Sequence, residues 1–335
     1  MIGCKMHIAN QNTITHSRIE WVDYAKGIGI LLVVYGHVLR GIKNAGLDIY
    51  SVFFYCSDNL VYSFHMPLFF FLSGLFIVRS LLKTERITPF VLGKIKVIAY
   101  PYFIWSFIQI SIQILMSPYT NHVKEVSDLL YIFYKPQEQF WFLYVLFFLS
   151  VLYAILYVLL KNVYLILLIS IFLYFSKLGI PMFSKNFIFF SAGAAFVPYM
   201  LSLIPNKNTI PSFIVFGIMF IAVHGILGFL QLYGLHKFIF LPLAAFGILL
   251  TCYLANYLAT HNMLSFLKYI GYISLPIYVA HVLSASGIRI ILYKLFNIHH
   301  VGVHLLIGTI FGIVFPIILY EFGKRIKFPY LFTWR

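Results

Sequence analysis

Charge is the scarcest ingredient of this chain. Aspartate and glutamate together supply 9 of 335 residues, and 10% of positions are charged against 62% that are hydrophobic, with a mean hydropathy of +0.93. A water-soluble domain carries about 25% charged residues, so the composition excludes a soluble globular protein and points to an integral membrane one. Cysteine is sparse as well. Cys4, Cys56 and Cys252 fall in a leader, a loop and an apolar segment, which excludes a disulfide framework and any zinc-type spacing. The first 17 residues hold no apolar run and no small-residue cleavage pattern, so they read as a cytosolic leader and not a removable signal peptide. No repeat of fixed period and no low-complexity tract is present.

What the chain has in abundance is apolar segments broken by short polar stretches. They fall at about 21–41, 59–78, 97–117, 140–160, 163–177, 187–204, 211–230, 238–258, 270–292 and 301–321. The expectation is an all-α integral membrane bundle of ten helices, because a crossing needs roughly 20 apolar residues. It divides into a leader (1–20), a single transmembrane domain (21–321) and a basic cytosolic tail (322–335) that holds only FGKRIKFPYLFTWR after Glu321. With the N-terminus inside, 15 of the 24 lysines and arginines fall on the cytosolic side, as the positive-inside rule requires, and both termini are expected there.

The net charge of +15 does not point to nucleic acid. Basic residues here bracket membrane helices instead of sharing a solvated face with stacking aromatics. The densest group, VRSLLKTERITPFVLGKIK at 78–96, reads either as an inner loop held to anionic lipid headgroups or as a site for a phosphorylated cosubstrate.

One stretch stands against the apolar background. DYAKGIGILLVVYGHV, residues 23–38, places Asp23, Lys26 and His37 on a helix that must enter the bilayer. Eleven helical steps separate Lys26 from His37, which puts them about 20° apart on one face and roughly 16 Å apart along the axis; Asp23 falls about 40° to the other side. Gly27, Gly29 and Gly36 leave room for a neighbouring helix or for a long thin ligand. The same residues admit a structural reading, with Asp23 and Lys26 as a surface ion pair and His37 as a satisfied core histidine. Intramembrane ionisable groups are usually kept for a pathway or a site, so the combination favours function without naming the chemistry.

A family resemblance names it. RIEWVDYAKGIGILLVVYGHV (18–38) resembles the opening of the membrane acyltransferase-3 family, whose first helix bears a basic residue, ten intervening residues and a histidine, here Lys26 and His37. FHMPLFFFLSGLFI (64–77) is similar to the second-helix signature, with Pro67, Phe69, Phe70, Ser73 and Gly74 in place. FWFLYVLF (140–147) resembles the Trp-Phe-Leu stretch and GYISLPIYVAH (271–281) the late Ser, Tyr, His pattern. The four blocks keep the family's order from residue 18 to 281. There is one departure from the family pattern: where the family commonly has Arg-x-x-Arg before a proline, this chain has Lys94 and Lys96 before Pro101, charge without the guanidinium fork.

The resemblance implies transfer of an acyl group, usually acetyl, from cytosolic acetyl-CoA to a hydroxyl of a surface glycan such as O-antigen, capsule or exopolysaccharide, or of a lipid-linked glycan. The setting it implies is a bacterial inner membrane, with no metal involved. It places Asp23 and His37 at the chemistry. The histidine then acts either as general base, a role suited to a near-neutral imidazole, or as a nucleophile forming an acyl-imidazole; the base is the favoured role. Lys26 would guide the donor's phosphates or its pantetheine arm, and Arg79, Lys94 and Lys96 would bind the donor at the inner surface. His65, Ser73, Trp141, Ser274, Tyr278 and His281 would line the acceptor path.

Several of these have plainer explanations. His65 precedes Pro67 and could bend the helix, Ser73 is small enough to serve packing, and Trp141 suits an interfacial aromatic belt. Ser274, Tyr278 and His281, four and three apart, share one helix face. Glu138 and Asp58, at the expected outer ends, could bind acceptor hydroxyls, but read first as solvated loop carboxylates. The rival function is a multi-helix carrier of a glycan or small molecule, but carriers tend to show two related halves, and the layout of 1–167 does not recur in 168–335.

Overall fold

The computed structural model describes residues 19–117, 124–176, 178–201, 210–230 and 237–334. The expected leader therefore lies outside the described residues up to position 18. Among the described residues all regular structure is helical.

Helix α1 (Glu20–Asn44) starts with Glu20 and Asp23 and ends with Lys43, charges that suit the two ends of its dipole. Gly46, at φ +76, closes it: the Ala45 N–H donates to the Gly41 carbonyl at 3.0 Å and the Leu47 N–H to that of Ile42 at 3.3 Å. Helix α2 (Ser51–Gly74) returns across the bundle, with Pro67 inside it depriving the Ser63 carbonyl of its helical donor. Two short helices, α3 (Ile77–Thr84) and α4 (Ile87–Lys94), lead through a π-helical turn (Ile95–Ala99) into α5 (Tyr100–Leu115). Pro101 sits in the first turn of α5, where its missing N–H costs nothing. Turns of 3-10 type at Val126–Phe133 and Glu138–Phe140 precede α6 (Trp141–Leu160).

The second half is more fragmented. Asn162 caps α7 (Val163–Phe175), its side-chain oxygen accepting from the Tyr164 and Leu165 N–H groups at 2.9 and 3.2 Å. There follow α8 (Pro181–Ala195), α9 (Val197–Leu201), α10 (Ile210–Phe229), α11 (Lys237–Thr260), α12 (Ser265–Tyr272) and α13 (Ser274–Ile290). A second π-helical turn (Ile291–Leu295) and α14 (Val301–Arg325) complete the bundle.

Helix α1 is the hub, packed against α2, α11, α12, α13 and α14, with Ile30, Val34, Leu39 and Ile42 fully buried. Small residues set the distances. A Cβ on Gly27 would fall on the Leu267 carbonyl, and one on Gly271 on the Asp23 carbonyl, so α1 and α12 cross backbone to backbone. Gly74 and Gly193 form a reciprocal pair of the same kind between α2 and α8. A Cβ on Gly29 would meet the Phe69 ring, and one on Gly36 the Tyr62 and Val61 side chains. All three openings on α1 are thus occupied by protein, and of the two uses read from the sequence the neighbouring helix is the one realised.

Seven helical runs among the described residues are long and apolar enough to cross a membrane: Glu20–Asn44, Ser51–Thr84, Ile87–Leu115, Val126–Leu160, Phe238–Thr260, Ser274–Leu295 and Val301–Arg325. The expected spans 163–177 and 211–230 correspond to the shorter apolar stretches Val163–Phe175 and Ile214–Leu227. A 13-residue helix is only about 20 Å long, short of the roughly 30 Å hydrocarbon core. The expected span 187–204 divides at Phe196 into α8 and α9, and its last three positions lie outside the described residues.

Helical structure runs on into the expected basic tail, 322–335. α14 continues to Arg325, and residues 328–334 then fold back on α5. The Trp105 indole N–H donates to the Leu331 carbonyl at 2.6 Å, the Tyr100 hydroxyl to that of Tyr330 at 2.8 Å, and Phe332 stacks on Trp105 at 5.5 Å.

Candidate functional site

A cavity of about 820 Å³ opens at the end of the bundle where α1 stops, α2 begins, α5 ends, α6 begins and α13 runs out. Its walls are His37, Arg40 and Asn44 from α1; Tyr62, His65 and Met66 from α2; Ile112, Gln113 and Met116 from the end of α5; Glu138, Gln139 and Trp141 at the entry to α6; Tyr278, Ser286 and Arg289 from α13; and His304 from α14. The local sequence explains each contribution. Helix α1 stays regular to Asn44, so residues one turn apart, His37 and Arg40, project to the same side. The two 3-10 turns carry Glu138, Gln139 and Trp141 over the mouth, with Glu138 in a left-handed conformation (φ 45).

His37 meets the ring of His281 edge-on, with centroids 5.0 Å apart and planes at 68°. His281 is fully buried, its Nδ1 lying 2.7 Å from the Tyr278 carbonyl, while its Nε2 has no hydrogen-bond partner among the described residues. A carbonyl oxygen can only accept, so Nδ1 carries the hydrogen and Nε2 the lone pair. His65 donates from Nδ1 to the Val61 carbonyl at 2.6 Å and packs edge-on against Tyr62 at 4.7 Å.

Arg40 makes a two-pronged pair with Asp58 at 2.6 and 2.8 Å, and its guanidinium lies 3.1 Å over the Tyr62 ring. Asp58 is thus a paired, partly solvated helix carboxylate and not a free loop one. Glu138 is exposed and accepts from the Gln109 and Gln113 amides at 2.7 and 2.8 Å. Gln139 is buried and donates to the Gln109 side-chain oxygen at 2.7 Å, while its backbone carbonyl accepts from the Tyr278 hydroxyl. Amide side chains and one carboxylate thereby line the mouth beside the Trp141 ring. Such a set can bind hydroxyl groups, with an aromatic face for an apolar ring surface.

The residues singled out in the sequence divide in two. His37, His65, Trp141 and Tyr278 border the cavity, and His281 touches His37 from behind, outside the lining. Ser73 is not at the cavity; its hydroxyl donates to the Phe69 carbonyl of its own helix at 2.7 Å. Ser274, at the opposite end of α13, does not reach it either. Asp23 lies buried against α12, fourteen helical steps and about 21 Å from His37. Lys26, Arg79, Lys94 and Lys96 likewise fall outside the lining, and the alternation of α1 to α5 puts them towards the opposite end. Lys94 packs over Phe90 at 5.1 Å and the Lys96 carbonyl accepts from the Trp334 N–H at 3.4 Å. No group of three or more metal-ligating side chains occurs among the described residues.

Sequence reasoning missed Arg40, Gln109, Gln113, Gln139 and Arg289. A signal for two of them was present: glutamines four apart in FIQISIQIL have no place on a lipid-facing helix surface. Arg40 follows His37 by three residues, a spacing that itself predicts a shared face.

A family model described as an acyltransferase domain, that of the membrane acyltransferase-3 family, matches residues 19–321. Comparison with curated proteins and with solved structures returned no match.

Proposed function

From the premise that the chain belongs to the membrane acyltransferase-3 family, we propose that it is an O-acetyltransferase of a bacterial inner membrane, acting on a hydroxyl of a surface or lipid-linked glycan. Both termini face the cytosol, and the chain's apolar segments make ten passes or re-entrant excursions through the bilayer. Acetyl-CoA approaches from the cytosolic end, where Lys26, Arg79, Lys94 and Lys96 supply cations for its phosphates. The glycan enters the cavity from the opposite end, meeting Gln113, Glu138, Gln139 and Trp141 at the mouth, with buried Gln109 holding Glu138 and Gln139 from behind.

His37 is the general base. Its lone pair takes the acceptor's hydroxyl proton as that oxygen forms the new C–O bond to the thioester carbonyl. The C–S bond breaks, the proton passes to the departing sulfur, and the products are a glycan acetyl ester and CoA thiol. Removal of such a base costs about 10²–10⁴-fold in rate. Asp23 is too distant to touch the imidazole, and on this reading it serves the helix crossing at Gly271 and not the reaction.

One observation carries the reading: an imidazole on the wall of an 820 Å³ cavity that amide and carboxylate side chains border shares its helix stripe with a lysine placed roughly 16 Å deeper in the bundle. The test is expression in a bacterium that lacks the chain, with NMR of the surface glycan for new acetyl ester signals. Wild type is expected to add them, and His37→Ala to abolish them while membrane-inserted protein is retained. Acetylation unaffected by His37→Ala would remove the base from the mechanism. Glycan or solute flux without any ester would favour a carrier.

A further inference from the structure

His281 stands in an unusual position for a buried histidine. It lies outside the cavity lining, yet its ring abuts the one imidazole to which the reaction is assigned. Its Nδ1 hydrogen is committed to the Tyr278 carbonyl at 2.7 Å, with the Ile277 carbonyl at 3.3 Å, so the lone pair on Nε2 is fixed in direction. That nitrogen is buried and, among the described residues, without a partner. A buried acceptor left unpaired costs about 1–3 kcal/mol, and native structures rarely leave one so.

The ring that Nε2 can reach is His37. A ring nitrogen lies about 1.2 Å from its ring's centre, so a collinear N–H···N bond of about 2.9 Å sets two imidazole centres roughly 5.3 Å apart. The observed separation is 5.0 Å with the planes steeply crossed, which a small ring rotation converts into that bond. Of the other polar neighbours of His37, Arg40 has donors only and is held by Asp58. His65, whose Nδ1 donates to the Val61 carbonyl, also keeps a lone pair on Nε2, but its ring packs edge-on against Tyr62, whereas the ring that meets His37 edge-on is that of His281.

We propose that His281 is a positioning residue for His37: its Nε2 accepts the N–H of one His37 ring nitrogen, so that the other presents its lone pair to the cavity. The inference rests on the acyl-transfer reading of the site. In the transfer step His37 gains the acceptor's proton on its cavity-facing nitrogen while its second N–H remains bonded to His281. The proton then leaves from the cavity-facing nitrogen to the thiolate sulfur, so His281 undergoes no net proton exchange. It fixes tautomer and ring orientation, as second-layer partners of reactive histidines do.

The test uses membranes of a bacterium expressing the full chain, with radiolabelled acetyl-CoA as the probe and label in surface glycan as the readout. His281→Phe fills the space without an acceptor. It is expected to lower the apparent kcat about 10–100-fold with the KM for acetyl-CoA unchanged. His281→Gln, whose amide oxygen can accept, is expected to recover most of that rate. His281→Leu serves as the second non-accepting variant if the Phe protein is not recovered as a monodisperse species in detergent. Wild-type kcat in His281→Phe or His281→Leu, a His281→Gln no faster than they are, or a raised KM with kcat retained would each overturn the positioning role. A His37→Ala control separates the two readings. If that variant still transfers acetyl, the general base itself is lost; if it is dead while the non-accepting His281 variants are normal, only the positioning role fails.

Discussion

The crossing of α1 and α12 gives the sharpest stability prediction. Replacing Gly27 by alanine adds one methyl group whose Cβ falls far inside the 3.0 Å that such atoms keep from their neighbours, against the backbone carbonyl of Leu267. A backbone oxygen cannot rotate away as a side chain can, so the helices must separate. A carbon tolerates a carbonyl oxygen at about 3.3–3.6 Å, which requires a displacement on the order of 1 Å. A gap of that size forfeits a quarter to a half of the dispersion energy of each contact around it. Overpacking of this kind costs about 1–3 kcal/mol, partly offset by the roughly 1 kcal/mol by which alanine exceeds glycine in helix propensity. Gly217→Ala is the control, because nothing lies within 4 Å of the added atom in α10; there the propensity gain stands alone. Thermal unfolding of the detergent-solubilised protein, followed by loss of the monodisperse species, should show Gly27→Ala falling several degrees below wild type and Gly217→Ala at or slightly above it. Because α1 also carries His37, acetyl transfer should fall in the first variant and not in the second. Equal stability of the two alanine proteins would refute the close crossing.

Two further perturbations probe the cavity mouth. Gln109→Leu deprives Glu138 and the buried Gln139 of their shared partner, at a cost of about 1–3 kcal/mol. On the proposed function it raises the KM for the glycan while leaving that for acetyl-CoA in place, and steady-state kinetics with either substrate varied will check the split. Asp58→Asn removes the charge opposing Arg40. Because the pair is 44% and 19% exposed at its two side chains, the loss of stability should stay within about 1 kcal/mol, and a loss beyond about 3 kcal/mol in chemical unfolding would contradict the partly solvated pairing.

The central helices were legible in the sequence because their signals are local. Length and apolarity mark α1, α2, α5 and α6, and the eleven-step spacing of Lys26 and His37 needs only helix geometry. The face shared by Tyr278 and His281 follows from the same arithmetic. What escaped depended on tertiary contact. No periodicity foretells that Glu138 turns in to meet two glutamines of α5, or that Asp58 grips Arg40 across 18 residues. Hydropathy counts apolar positions without weighing helix breaks, so Val163–Phe175 resembled a full span although Ser176, Gly179 and Pro181 end it early. The family signature located His37 and His281 separately. Their contact is a property of the packing of α1 on α13.

The folded-back end has a bearing on biogenesis. The indole of Trp105 receives its carbonyl partner from a residue 226 positions later in the chain, and the Tyr100 hydroxyl one that is 230 later. During synthesis the base of α5 must therefore wait, its polar groups provisionally served by water or lipid headgroups, until the segment around Leu331 has left the ribosome. That late-made segment acts as a fastener on an early helix, so the preceding helices can insert before this contact is locked.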